Sequence, residues 1–259
     1  MFSDPAEPIT ARPLREGLSW LPAIGVVAVP AIVGPAVLWA RATFHRLHPD
    51  ADPSTYLTIS RAISDPTVGE PFAVWMTVAA VILWAATHYI LWMLIAQHPR
   101  RPTIGPTRDR VTRGLWVVMS LAMTATCVGM IVLSRYRLGN DDGGASHHMH
   151  MFGSYLFFGA QATTILLAAV YHSLLVPLGR TTSPPAVFPD RWRARAGYAV
   201  VVAAVLYGVV FQMKSMDLGP TTRWVVSVYV EFETILIMVF LAYLACYAVD
   251  VLRFSRARR

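Results

Sequence analysis

An all-α integral membrane fold, a six-transmembrane-helix bundle with both termini cytoplasmic, follows from three observations. Hydrophobic residues make up 55% of the 259 residues and charged ones only 14%, with a mean hydropathy of +0.48, a composition outside the range of soluble domains. Six apolar runs are long enough to cross a hydrocarbon core of about 30 Å, which takes about 20 residues of helix. The arginines between those runs alternate between dense and sparse.

The first run extends from Ser19 to Ala40, behind Arg12 and Arg15. It ends on small residues, as a cleaved signal does, but at roughly 20 residues it exceeds the 7 to 15 of a secretory h-region and is read as a retained helix. The second run is Phe72 to Ala96, the third Gly114 to Ser134 and the fourth Met151 to Leu178. Gly197 to Met213 is the shortest, its end marked by Gln212, Lys214 and Asp217, and Trp224 to Val249 closes the set. No internal repeat, linker or low-complexity tract divides the chain, so residues 1–259 form a single membrane domain. The longest connection, Arg41 to Pro71, is too short for an independent domain.

Cytoplasmic loops keep positive charge. The N-terminus, the second and fourth connections and the tail carry 15 of the 22 basic residues, and the alternate connections the other 7. The seven are offset by Asp50, Asp52, Asp65, Glu70, Asp141, Asp142 and Asp217, which leaves the cytoplasmic face strongly basic. A basic rim beside anionic lipid accounts for the net charge of +7 without a nucleic-acid partner. Cys127 and Cys246 both lie in apolar runs, which excludes a disulfide framework.

Polar groups inside spans are costly and need partners or a function. On the fourth run His150, Ser154, Gln161, Thr164, Ala168 and His172 recur at steps of three, four or seven, which puts them on one helix face turned toward other helices. Glu231 and Glu233 stand about 200° apart around the sixth helix, so one faces the bundle while the other reaches the headgroups. The segment Thr58 to Asp65, the His147 to His150 run and these two glutamates share one depth at the outer boundary. An imidazole, carboxylates and hydroxyls there suit acid/base or nucleophilic chemistry on a lipid headgroup or ester, or the binding of one.

His147, His148 and His150 with Met149 and Met151, and Asp141 and Asp142 nearby, have the donor types of a copper or zinc site. His88 and His172 have the depth of a haem pair, although interhelical hydrogen bonds are the simpler use of two rings. No cofactor is assigned. Trp20, Trp39, Trp75, Trp116, Tyr155, Trp192 and Trp224 fall near span ends as an aromatic belt.

A family pattern runs through these residues. Thr58-Ile59-Ser60-Arg61-Ala62-Ile63-Ser64-Asp65, continuing through Glu70-Pro71 and Trp75, resembles the signature loop of the Frag/DRAM/Sfk family. His150 with Gly153, Phe157 and Phe158 resembles that family's histidine opening the fourth helix. Arg191-Trp192-Arg193 resembles its basic lead-in to the fifth, and Glu233 with Asp250 its acids on the last. Family members include lysosomal autophagy modulators, a glycosylphosphatidylinositol-remodelling protein and plasma-membrane scaffolds for lipid kinases. Pro66 followed by Gly69-Glu70-Pro71 departs from the autophagy branch, and Leu57-Thr58 from the remodelling branch. Arginine and alanine in excess beside a single lysine suit a bacterial member.

The resemblance implies Asp65, His150 and Glu233 as catalytic positions, His150 acting as a base oriented by a carboxylate. Ser60, Ser64, Glu231, Ser154 and Gln161 are the expected substrate-binding residues. The function expected is binding or remodelling of a membrane lipid in an outward-facing polar pocket of the cell membrane. The alternative is a non-catalytic scaffold or lipid sensor that recruits a cytoplasmic protein through Arg100, Arg101, Arg108 and Arg110 and the arginine-rich tail.

Overall fold

The computed structural model describes residues 20–50, 58–97, 106–138, 144–175, 188–214, 216 and 218–257. Among them the secondary structure is helical throughout: α1 (Leu21–Leu47), α2 (Ile59–Ala62), α3 (Pro66–Gln97), α4 (Pro106–Arg135), α5 (Ala145–Leu175), α6 (Asp190–Met213), α7 (Thr221–Ala245) and α8 (Ala248–Ala257). Six helical segments are long and apolar enough to cross a membrane, α7 and α8 together forming the last.

The spans pack as a ring in chain order, each against the next, with α7 closing back onto α1. Small residues set the tightest approach, as is common where lipid supplies no hydrophobic drive between helices. A Cβ on Gly129 of α4 would lie 2.5 Å from Phe157 N of α5, and one on Gly153 of α5 would lie 2.5 Å from Leu133 N of α4. Hydrogen at both positions is what lets these two backbones touch. In α1 the inward face is Val26, Val29, Val33 and Val37, while Val27 and Leu38 point outward. Pro30 and Pro35 sit within this helix; membrane helices tolerate such breaks where neighbours re-satisfy the backbone. Val81, Leu121 and Val205 are each at least 60% exposed, the outward apolar surface that a lipid-facing bundle requires.

The helices overrun the apolar segments that announce them. α1 continues past Ala40 through Arg41 and Phe44 to Leu47, α3 starts at Pro66 and not at Phe72, and α6 starts at Asp190 and not at Gly197. The apolar criterion detects only the stretch in hydrocarbon, and polar turns beyond it are invisible to it. The last span breaks at Cys246 and Tyr247, after which α8 buries Asp250, Val251 and Phe254 against the bundle.

The stripe on α5 is buried: His150 and His172 are 1% exposed, Gln161, Thr164 and Ala168 are buried and Ser154 is half-buried. Trp20, Trp75, Tyr155, Trp192 and Trp224 are exposed in the manner of a belt. Trp116 is not: it is 9% exposed and packs against Tyr171, 6.2 Å between ring centroids. Arg110, Arg253 and Arg256 are exposed, whereas Arg100, Arg101, Arg258 and Arg259 lie outside the described residues, as do Asp141, Asp142 and the side chain of Arg108.

Candidate functional site

Among the described residues between α1 and α3 is one short helical turn, α2. Thr58 caps it, its Oγ1 accepting from Arg61 N at 3.1 Å. Ile59, Ala62 and Ile63 are buried in the bundle, and Glu233 Oε2, arriving from α7, accepts from Ile59 N at 3.0 Å. A carboxylate 4% exposed thus holds a backbone donor that a four-residue helix leaves without an intrahelical partner.

That turn aims Ser60 at His150. Ser60 Oγ stands 3.0 Å from His150 Nε2, and His150 Nδ1 stands 2.7 Å from the carbonyl oxygen of Tyr136, just beyond the end of α4. A carbonyl only accepts, so Nδ1 carries a proton and donates it to Tyr136. In the neutral ring Nε2 is then the acceptor, and the Ser60 hydroxyl donates to it. The group that orients the imidazole is therefore a main-chain carbonyl and not the carboxylate expected from the sequence.

Ser60 and His150 line a cleft of about 320 Å³ between α5, α6 and α7. Its polar end holds Ser60, His150, Ser154, Lys214 and Glu233, and its walls are apolar, among them Phe158, Ala162 and Leu236. Lys214, the only lysine of the chain, lies over the rings of Tyr229 and Phe211 at 4.0 and 4.2 Å. Burial pushes its ammonium below the ordinary lysine value, and the charge of Glu233 opposes that shift.

Not every expected residue reaches the cleft. Asp65 follows Ser60 by little more than a turn but faces elsewhere. Its Oδ1 accepts from Thr67 N at 2.8 Å, capping α3 ahead of Pro66, and its Oδ2 lies 2.9 Å from His48 Nε2. The His48 imidazole holds the Asp65 carboxyl below the usual carboxylate range, with burial opposing. Asp65 and Ser64 line a second, open cleft of about 460 Å³ with Phe44, His48 and Arg61. Ser64 donates back to Arg61 O at 2.7 Å.

Glu231 points out and pairs with Arg41 at 2.8 Å, while the same arginine donates to Thr234 Oγ1. The two glutamates diverge as their spacing requires. Gln161 is buried on the α5 stripe away from the cleft's lining, and Ser154 returns its hydroxyl to His150 O at 2.9 Å. Neither Lys214 nor the Tyr136 carbonyl was among the sequence candidates. The lysine's isolation in an arginine-rich chain was the available signal, and a backbone carbonyl leaves none.

His88 and His172 have separate partners. His88 lies 2.8 Å from Trp84 O and 2.8 Å from Ser120 Oγ. His172 lies 2.7 Å from both Asp190 Oδ1 and Tyr247 Oη. Both nitrogens of each ring are hydrogen-bonded, and the two rings share no partner. His147 and His148 are exposed while His150 is buried, and no group of three potential metal ligands stands together among the described residues. Beside His172, Arg193 and Asp250 form a buried ion pair, with the guanidinium 4.5 Å from the Tyr247 ring centroid. No family model matches the chain, and no curated protein or solved structure shows significant similarity to it.

Proposed function

We propose that the protein is a multi-pass protein of the cell membrane that binds a phospholipid, headgroup first, in the cleft between α5, α6 and α7. Both termini are cytoplasmic in this reading, the cleft opens toward the outer leaflet, and the chain is a bacterial member of the Frag/DRAM/Sfk family. The observation that carries the proposal is the cleft's two-ended chemistry. A lysine, a carboxylate, an imidazole and a hydroxyl gather at one end of a cavity whose walls are apolar and aromatic. Such a combination fixes an amphiphile's orientation.

The volume of about 320 Å³ suits a headgroup and its glycerol, and leaves the acyl chains against outward apolar residues such as Val205 and Tyr155, which line the same cleft. Lys214 supplies a cation for the phosphate in a setting where burial strengthens the attraction. Glu233, at the same end, holds α2 in place and suits a positively charged or hydroxylated headgroup.

Native mass spectrometry of the purified protein tests this directly. The wild type is expected to retain phospholipid, and Ala162→Trp, which fills the cleft from α5, is expected to lose it. Replacing Arg100, Arg101, Arg108 and Arg110 with Gln should leave retention unchanged. Equal retention in wild type and Ala162→Trp removes the cleft as the binding site.

A further inference from the structure

We propose that Ser60 is a nucleophile and His150 its general base in transfer of an acyl group from a glycerophospholipid ester. This rests on the lipid-binding reading above and adds a covalent step to it. Three features of the geometry carry it. The Tyr136 carbonyl fixes the tautomer that leaves His150 Nε2 unprotonated, and that nitrogen is 3.0 Å from the Ser60 hydroxyl. Nucleophile and base at hydrogen-bond distance, with the base held by a third group, is the arrangement that activates serine.

Next, Ser60 differs from most hydroxyls of the bundle. Thr77, Thr126, Ser134, Thr163, Thr164 and Ser227 each donate to a carbonyl three or four residues earlier in their own helix. Ser60 is held by its backbone neighbours instead, through the Thr58 cap and the bond from Ile59 N to Glu233, so its side chain is left for His150. Glu233 is here a positioning residue. Third, both groups line a cleft that also holds Lys214. Ser120 and His88 make a similar hydrogen bond at 2.8 Å, but line neither cleft described above.

The chemistry balances without any added oxidant or reductant. Ser60 Oγ attacks the ester carbonyl carbon as Nε2 takes its proton, and the carbonyl electron pair moves onto oxygen. Collapse restores the carbonyl, breaks the ester C–O bond and delivers the proton from Nε2 to the departing lysolipid oxygen, leaving acyl-Ser60. Water or the hydroxyl of a second lipid then attacks, gives its proton to His150, and releases the acyl group as Ser60 recovers its proton.

The test uses the full chain in detergent micelles, an alkyl fluorophosphonate as probe, and peptide mass spectrometry. The expected result is a phosphonyl adduct on Ser60 that Ser60→Ala abolishes and Ser120→Ala leaves intact. His150→Gln, with an amide in place of the imidazole, should slow labelling by about 100-fold or more. Adduct formation on the wild type needs no variant to fold. No adduct on Ser60, or an equal labelling rate in His150→Gln, overturns the nucleophile assignment. Native mass spectra of the same samples separate the two proposals: phospholipid retained without an adduct refutes the covalent step alone, whereas equal retention in Ala162→Trp refutes the binding site beneath it.

Discussion

Gly153→Ala tests whether the contact between α4 and α5 positions the imidazole. The new Cβ would sit 2.5 Å from Leu133 N, against the 3.4 Å at which ordinary contact begins, so the two backbones must part by about 0.9 Å. Neither obstacle is a side chain able to swing aside: the nearest atoms are Leu133 N and Leu133 Cα. His150 lies one turn before Gly153, and Tyr136 one turn after Leu133. The same displacement therefore stretches the 2.7 Å bond from His150 Nδ1 to Tyr136 O to about 3.6 Å, outside the hydrogen-bonding range. Overpacking of this kind costs about 1–3 kcal/mol, and the freed imidazole loses its tautomer constraint. Expected are a lower thermal midpoint in detergent and slower fluorophosphonate labelling of Ser60. Gly114→Ala on α4 is the control, because nothing lies within 4 Å of a Cβ there. The alanine should be neutral or stabilising by up to about 1 kcal/mol through helix propensity. If Gly153→Ala matches Gly114→Ala in both midpoint and labelling rate, the helix contact does not hold the site.

Glu233→Ala leaves the Ile59 N–H buried without an acceptor, at a cost of about 1–3 kcal/mol; Glu233→Gln keeps an amide oxygen for it and should lose less, a difference read from thermal midpoints. Lys214 has a depressed pKa, and a bound phosphate favours its charged form. Affinity for an anionic phospholipid is thus complete below the free protein's lysine value and falls as pH rises through it, starting below the ordinary range near about 10.4. Lys214→Met should flatten that pH profile in a vesicle-binding titration, and a wild-type profile already flat to pH of about 10 would contradict the role. Asp250→Ala strands the buried Arg193 charge and should destabilise by about 3–5 kcal/mol. The double change Arg193→Met with Asp250→Leu should recover most of that loss in denaturant titrations.

The six crossing segments were legible because length and hydropathy are local properties that counting detects. The inward stripe on α5 was equally legible from its helical spacing, as was the divergence of Glu231 and Glu233. Choosing among loop residues was harder. Ser60 and Asp65 stand five apart on one motif, and only the end of α2 between them decides that one faces His150 and the other turns back to cap α3. Arg193 counts as a loop cation by sequence, yet it is 4% exposed because Asp250, on a helix beyond the break at Cys246 and Tyr247, neutralises it. Pairings across 57 to 174 positions leave no local trace, and a main-chain carbonyl such as that of Tyr136 has no sequence identity at all.

The bond between Ile59 N and Glu233 joins positions made far apart in translation. When Ile59 is added to the growing chain, the carboxylate that docks its turn is still 174 residues from being synthesised. The site is therefore assembled only once α7 has been made and packed, and a chain that stalls before it carries the serine without the clamp that aims it. Insertion of α7 thereby becomes the step that arms the site.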